Sequence, residues 1–223
     1  MDACFNGLPN AFSSERLYYI KADEGDENLR DFLPRVEDDP MTQALVSTNL
    51  LRPKGKVDID ETMKGLSLSL LGVSICLKPE EDAKRNGNKT KETQSPAGKT
   101  PRPTIIGFVV LGWGGIPASQ VVNRRASIGI TLSPEYQDKG YGREAFNWML
   151  DWAFRYAGLH TVFLSVFPYN EKAVHLYKSL GFVQEGRLRE TRYFNRKWHD
   201  ELLFAINEDE WEKIRGIANA GAT

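Results

Sequence analysis

The stretch Gln137-Asp138-Lys139-Gly140-Tyr141-Gly142-Arg143 lies between a short β-like run, Ala126 to Leu132, and an amphipathic helical pattern, Glu144 to Tyr156. A strand, a glycine-bearing loop and a helix start together form an anion cradle. Gly140 and Gly142 carry no Cβ, which lets the backbone adopt positive φ and approach a ligand, while the helix's first free N–H groups and its dipole point outward. Such a place favours a phosphate or pyrophosphate. Two phosphate loops of other spacing do not fit. A Walker loop needs Lys and then Ser or Thr after its last Gly, whereas Arg143-Glu144 follows Gly142; a dinucleotide loop needs G-x-G-x-x-G, and Ala145 stands at the third glycine. By itself the heptapeptide is equally compatible with a turn and helix cap that binds nothing.

Working outward, Ala145, Phe146, Met149, Leu150, Ala153 and Tyr156 share one apolar face, and Gly158 breaks the helix before a second β-rich run, Thr161 to Val166. The result is a βαβ unit with parallel strands and a right-handed crossover, and ligands bind beyond the carboxyl ends of such strands, where the loop sits. Pro168 cannot donate a ladder hydrogen bond, so strand pairing is expected to fail there and leave a gap. Asn170 reads as the N-cap of another helix, with Ala173, Leu176, Tyr177 and Leu180 on one face and Gly181 closing it before Phe182.

Taken together, Gln137-x-x-Gly140-x-Gly142 and Asn170-x-x-Ala173-x-x-Leu176-Tyr177-x-x-Leu180-Gly181-Phe182 resemble the GNAT superfamily of N-acetyltransferases. The likeness is strongest over Ser127 to Phe182; Ser14-Glu-Arg-Leu-Tyr18 and Trp211 are most similar to the ribosomal-protein-alanine acetyltransferase branch. The resemblance implies a mixed α/β (α+β) fold: a central, mostly antiparallel sheet with one parallel, splayed βαβ pair and flanking helices. It also implies acetyl-coenzyme A (acetyl-CoA) as acetyl donor. The backbone amides of Gln137, Asp138, Lys139, Gly140, Tyr141, Gly142 and Arg143 would hold its pyrophosphate, and main chain near Ile130 and Leu132 would pair with pantetheine. Asn170 and Ala173 would border its other side, and Tyr177 would stand beside the thioester sulfur. The acceptor implied is a primary amine, either a small molecule or a protein N-terminus, attacking directly in a ternary complex. The alternative is a non-catalytic acyl-CoA-binding module.

A phenol with a reference pKa of about 10 can protonate a departing thiolate, and backbone N–H groups can stabilise an oxyanion. Tyr177 also reads as a plain core aromatic, since it shares its face with Ala173, Leu176 and Leu180. No residue declares itself as the general base; His199, Glu185, Glu190, Glu201 and Glu135 are the candidates. The three His and two Cys show no metal-ligand spacing, so no metal is implied.

The 223 residues, 41% hydrophobic, suffice for one substantial core, and a formal net charge of −1 supplies no basic field for nucleic acid. Two distant thiols, no secretory leader and no long apolar run lead to the expectation of a cytoplasmic protein without a membrane partner, with a nuclear or organellar address left open. Monomer and homodimer both stay open. The expected domain spans residues 14–211, with tails at 1–13 and 212–223. Arg16 to Ile20 reads as a strand, and short helices fall near Leu29 to Phe32 and between Asp38 and Leu51, a region that shapes the acceptor pocket in proteins of similar fold. Ser67 to Leu77 and Thr104 to Trp113 read as strands joined by a mobile, hydrophilic insertion at 79–103. Gly186 to Phe194, a turn at Asn195-Arg196, and Lys197 to Ile206 read as a closing hairpin. Tyr193, Phe194 and Trp198 either line the acceptor pocket or pack the sheet. The cluster Arg187, Arg189, Arg192, Arg196 and Lys197 would repel a polycationic acceptor if it faced the site.

Overall fold

The computed structural model describes residues 8–86 and 102–217. Its strands are β1 (Leu17–Lys21), β2 (Leu71–Leu77), β3 (Ile105–Leu111), β4 (Arg125–Leu132), β5 (Thr161–Val166), β6 (Val183–Phe194) and β7 (Lys197–Asn207). The helices are α1 (Glu27–Phe32), α2 (Pro34–Glu37), α3 (Pro40–Val46), α4 (Lys56–Leu68), α5 (Pro79–Asn86), α6 (Ala118–Val121), α7 (Tyr141–Arg155), α8 (Glu171–Ser179) and α9 (Glu208–Arg215). The strands form one sheet in the order β1-β2-β3-β4-β5-β7-β6, antiparallel throughout except for the β4–β5 pair. This is the mixed, mostly antiparallel sheet that the resemblance implies.

Every residue of β3, Ile105-Ile-Gly-Phe-Val-Val-Leu111, is buried, as a central strand covered on both faces must be. Ile106, Val109 and Leu111 face α7, whose Phe146 and Met149 have no exposed surface. Each such side chain stabilises the fold by about 1.5–3 kcal/mol through burial. Ile105, Phe108 and Val110 face the other way, beneath Leu29, Leu33 and Val36 of the α1–α2 segment and Ile59, Met63 and Leu66 of α4. No helix among the described residues is long and apolar enough to cross a membrane.

Three expectations need correction. The alternation from Ser67 suggests a strand, but β2 starts at Leu71, and Ser67-Leu68 close α4. Helix wins because the Asp58 carboxylate takes the Gly55 N–H at 2.8 Å, and Ile59, Met63 and Leu66 recur at helical spacing against the sheet. Within the insertion, Pro79–Asn86 is helical, with Glu80, Glu81 and Asp82 at its N-terminus and Lys84 and Arg85 at its C-terminus, the charge order that suits a helix dipole. The insertion's residues 87–101 lie outside the described residues. At the chain end, α9 runs on to Arg215: Asn207 and Glu210 cap it, Trp211 is buried, and Arg215 bonds Asp151 at 2.7 Å. Of the expected tails, residues 1–7 and 218–223 are outside the description, whereas Ala11 accepts a 2.8 Å bond from the Trp148 indole. The β6–β7 turn is as expected, with positive φ at Asn195 (47°) and Arg196 (62°), the two-residue form that matches strand twist.

Candidate active site

The parallel pair β4–β5 is joined over three positions, Arg125↔Thr161, Ala126↔Val162 and Ser127↔Phe163, and then parts. Pro168 is not the cause, because Leu164, Ser165 and Val166 remain in β5 and keep their pairing with β7. β4 meanwhile keeps β3 as partner out to Leu132. Each strand holds its outer neighbour, and the twist of the two half-sheets carries their inner edges apart. A cleft results.

The register of β4 decides which groups face that cleft. Ser133 N–H donates to Ile106 O at 2.9 Å and Ser127 O accepts from Gly112 N–H at 2.7 Å, so alternate residues between them bond to β3. Ile130 and Leu132 therefore turn their main-chain N–H and C=O groups into the cleft. The Leu132 carbonyl is used by the Gln137 side-chain amide at 3.0 Å, which closes the turn out of the strand.

Beyond a 3-10 turn at Pro134–Tyr136, the chain reaches the glycine loop. Positive φ occurs at Gly140 (82°), the N-cap of α7, and at Asp138 (58°), not at Gly142. Gly142 is the second residue of α7 and needs helical φ. Its missing Cβ matters for space: one placed there would stand 3.5 Å from Leu132 Cδ1 and 3.9 Å from Leu176 Cδ2, narrowing the gap between strand, loop and α8. Gln137 N–H donates to Pro134 O at 3.2 Å. Among the described residues, the N–H groups of Asp138, Lys139, Gly140, Tyr141, Gly142 and Arg143 donate to no protein acceptor. A helix N-terminus with its donors unspent is an anion site.

The loop is held from behind. Arg16 donates to Lys139 O at 3.0 Å and to Glu144 Oε2 at 2.8 Å, and its guanidinium lies 4.5 Å from the Tyr141 ring centroid. Ser14 Oγ and Arg16 N–H both donate to Glu144 Oε1, at 2.6 and 2.7 Å. Burial pushes the Glu144 carboxyl upward, but the Ser14 and Arg16 hydrogen bonds outweigh it and hold the group below its ordinary value. The Ser14 to Tyr18 stretch thus pins the start of α7. Around the loop, Lys139 Nζ donates to Glu135 O at 2.5 Å, Asp138 pairs with Lys172 of α8 at 2.6 Å, and Arg143 donates to Ser179 Oγ at 2.7 Å.

On α8, Asn170 Oδ1 accepts from Ala173 N–H at 3.2 Å, the N-cap expected from sequence. Tyr177 packs as the core aromatic that its helix face suggests, with its hydroxyl left over. Its ring sits among Phe146, Phe182 and Phe204, with centroids 5.4, 6.0 and 6.4 Å away, while its hydroxyl makes no hydrogen bond among the described residues. Burial pushes that phenol up to about 12, so it keeps its proton at neutral pH.

Against β4 on the α2–α4 side lies a cavity of about 650 Å³. Its walls include Glu37, Gln43, Thr62, Trp113, Gly129 and Ile130, so the segment between β1 and β2 does shape the pocket next to the splayed strand. Asp58, also in the wall, is occupied by Arg52 at 2.5 Å and by Lys54 at 3.7 Å. Glu37 differs: burial raises its carboxyl above the ordinary value, although Lys54 and the Thr62 hydroxyl at 3.5 Å oppose the shift, and a raised carboxylate is a better proton acceptor. No motif marks Glu37; only the packing of α2 on the sheet brings it to the cavity.

None of His199, Glu185, Glu190, Glu201 and Glu135 lines that cavity. Glu135 accepts the Ser133 hydroxyl, which lowers its pKa, and His199 stands edge-on to Tyr169 with centroids 4.9 Å apart. The hairpin cations do not line it either. Arg192 is buried, donates to Ala44 O at 2.8 Å and lies 4.4 Å from the Phe167 centroid, and Arg187 pairs with Asp200. Tyr193 and Trp198 face each other on the exposed hairpin at 5.3 Å, and Phe194 stacks on Tyr169. Among the described residues, no group of three His, Cys, Asp or Glu side chains is placed to hold a metal ion.

A model of the acetyltransferase (GNAT) family matches residues 91–182. The chain is 42% identical over 90 residues to a spermidine N(1)-acetyltransferase of Vibrio cholerae, a match that covers 40% of this chain and 52% of the relative. An uncharacterized N-acetyltransferase of Bacillus subtilis is 30% identical over 135 residues, covering 59% of this chain and 76% of that protein. A [ribosomal protein uS5]-alanine N-acetyltransferase of Escherichia coli is 25% identical over 84 residues, 38% of this chain and 43% of the relative. The chain spans about half the length of the first of these curated relatives. In fold, it matches the crystal structure of spermidine N-acetyltransferase from Vibrio cholerae in complex with CoA and spermine with a TM-score of 0.64, at 23% identity, over 88% of this chain and 98% of that one.

Proposed function

The chain belongs to the acetyltransferase (GNAT) family, and we propose that it moves an acetyl group from acetyl-CoA to a primary amine by direct attack in a ternary complex, with no acyl-enzyme. The observation that carries this reading is the row of unspent amides from Asp138 to Arg143 at the mouth of the β4–β5 cleft. Those amides suit the pyrophosphate, and the bare Cα atoms of Gly140 and Gly142 leave it room. The cleft-facing main chain of Ile130 and Leu132 pairs with the pantetheine amides, and Asn170 and Ala173 border the opposite side.

Acetyl-CoA supplies an activated thioester; the protein supplies placement and proton management. Glu37, raised by burial, takes the proton that the incoming ammonium must lose. The free N–H groups on the inner edge of β4 donate to the carbonyl oxygen as negative charge gathers there. Tyr177, protonated and without another partner, donates to the departing sulfur. The half-buried Tyr177 hydroxyl keeps some solvent access and has no partner among the described residues, so it is available as a proton donor, which favours an enzyme over a non-catalytic binding module.

For the acceptor, the cavity supports a small-molecule amine that arrives as a cation. Glu37 and Glu61 both line it, while Arg52 and Lys54 are engaged with Asp58. The relatives named for spermidine act on an amine of that class. The test is thiol release from acetyl-CoA with a panel of polyamines, amino acids and peptides with free N-termini. Release with small cationic amines is expected. Tight binding of coenzyme A with no release for any amine would leave the binding-module reading in its place.

A further inference from the structure

Helix α5 touches the turn that leads into the glycine loop and a residue within the loop. At the turn, Arg85 Nη2 donates to Glu135 O at 3.3 Å, and the guanidinium stacks over the Tyr136 ring at 3.9 Å from its centroid. Within the loop, the hydroxyl of the buried Tyr141 donates to Glu81 Oε1 at 3.0 Å. Glu81 and Arg85 are i and i+4 on α5, hence on one face and about 6 Å apart. One helical turn therefore braces the arc at two points: the free amides of Asp138, Lys139 and Gly140 lie between the anchors, Tyr141 is itself the second anchor, and the amides of Gly142 and Arg143 follow directly from it. The helix is itself fixed: Glu81 N–H and Asp82 N–H donate to Lys78 O at 3.0 Å, Lys78 N–H donates to Arg16 O at 2.9 Å, and Thr104 Oγ1 donates to Asp82 Oδ2 at 2.8 Å.

We propose that α5 sets the affinity of the loop for acetyl-CoA, with Glu81 and Arg85 as positioning residues that hold the turn before the amide-bearing arc and Tyr141 within it in the arrangement a diphosphate requires. Neither side chain needs to touch the ligand. This rests on reading the loop as the coenzyme A site. Holding an arc of donors in its bound shape reduces the ordering that binding must impose, so loosening either anchor weakens binding without altering the chemistry of the bound complex.

The two residues carry opposite charges, which separates positioning from a simple field effect. Removing Glu81 takes a negative charge away from a polyanion site and by field alone tightens binding; removing Arg85 by field alone weakens it. Positioning weakens binding in both cases. The experiment is calorimetric titration of the full chain and its Glu81→Ala and Arg85→Ala variants with coenzyme A, with melting temperature and kcat at saturating acetyl-CoA recorded in parallel. Expected is a Kd about 5–10-fold higher in each variant and kcat within twofold of wild type. Glu81→Gln, which still offers an oxygen to Tyr141, restores wild-type affinity. Tighter binding by Glu81→Ala, or affinity within twofold of wild type in both alanine variants, overturns the proposal. If an alanine variant fails to fold, Tyr141→Phe cuts the same bond with the ring retained and is expected to weaken binding equally; unchanged affinity there overturns the proposal. Absence of coenzyme A binding by wild type sinks the reading of the site itself, a result distinguishable from either.

Discussion

Replacing Tyr177 by Phe removes one oxygen and leaves the packing. The ring's contacts with Phe146, Phe182 and Phe204 do not involve the hydroxyl, and no group among the described residues loses a hydrogen-bond partner. Stability is expected to change by under about 0.5 kcal/mol, a shift of roughly 2 °C or less in Tm for a chain of this size. Catalysis should respond quite differently. Proton donation by a placed side chain contributes about 10²–10⁴-fold, so kcat in a thiol-release assay at saturating acetyl-CoA should fall by about 100-fold, or about 2.7 kcal/mol of barrier, with little change in the KM of either substrate. The wild-type rate should show no alkaline decline from this group below about pH 10, because burial raises the phenol to about 12. A variant with unaltered Tm and kcat within twofold of wild type would refute proton donation by Tyr177. A variant that loses Tm in proportion to activity would reduce the residue to a core aromatic.

Glu37→Gln is expected to lower kcat by about 100-fold and to abolish the acid limb of the pH–rate profile, which in wild type lies above the ordinary carboxyl value of 4.5 because burial disfavours the charge. The same raised carboxyl contributes stability at low pH that is lost as pH rises through its folded value, so the Gln variant should melt no lower than wild type at pH 7. Gly142→Ala should keep or slightly raise stability, by under about 1 kcal/mol, since Gly142 has helical φ and an added Cβ meets ordinary contacts, yet it should weaken coenzyme A binding in a calorimetric titration by crowding the gap beside Leu132. Glu144→Gln should lower Tm at pH 7 by roughly 3–6 °C through its bonds to Ser14 and Arg16. Because the folded Glu144 carboxyl is held below 4.5, wild type should lose this stability as pH falls from about 4.5 downward, and the variant's thermal stability should decline less over that window.

The βαβ unit was legible because its signals are local. Asn170 caps α8 through its own side chain, Gly181 ends it at φ 94°, and β5 occupies the run Thr161–Val166 read from composition. The loop's donors follow from the same local logic, since a helix that starts at Tyr141 leaves its first amides free wherever its sequence goes. What could not be read depends on contacts between distant segments. The opening of β4 from β5 is set by the outer partners of each strand and not by Pro168. Glu37 becomes a candidate base only because α2 is pressed on the sheet, and nothing in Pro34-Arg-Val-Glu37 announces it. The hairpin arginines look like a basic face in sequence, yet Arg192 is spent inside, on the Ala44 carbonyl that Tyr169 also caps at 2.9 Å. α4 was hidden by a serine–leucine alternation at its end that mimics a strand.

The most direct measurement is a backbone amide titration of the ¹⁵N-labelled 223-residue chain with coenzyme A, followed residue by residue through chemical shift and hydrogen exchange. The amides of Asp138 to Arg143 should shift strongly and gain protection together, with Ile130 and Leu132 following along the open edge of β4. Saturable binding that leaves those six amides unmoved and exchanging as before would contradict the account at its root.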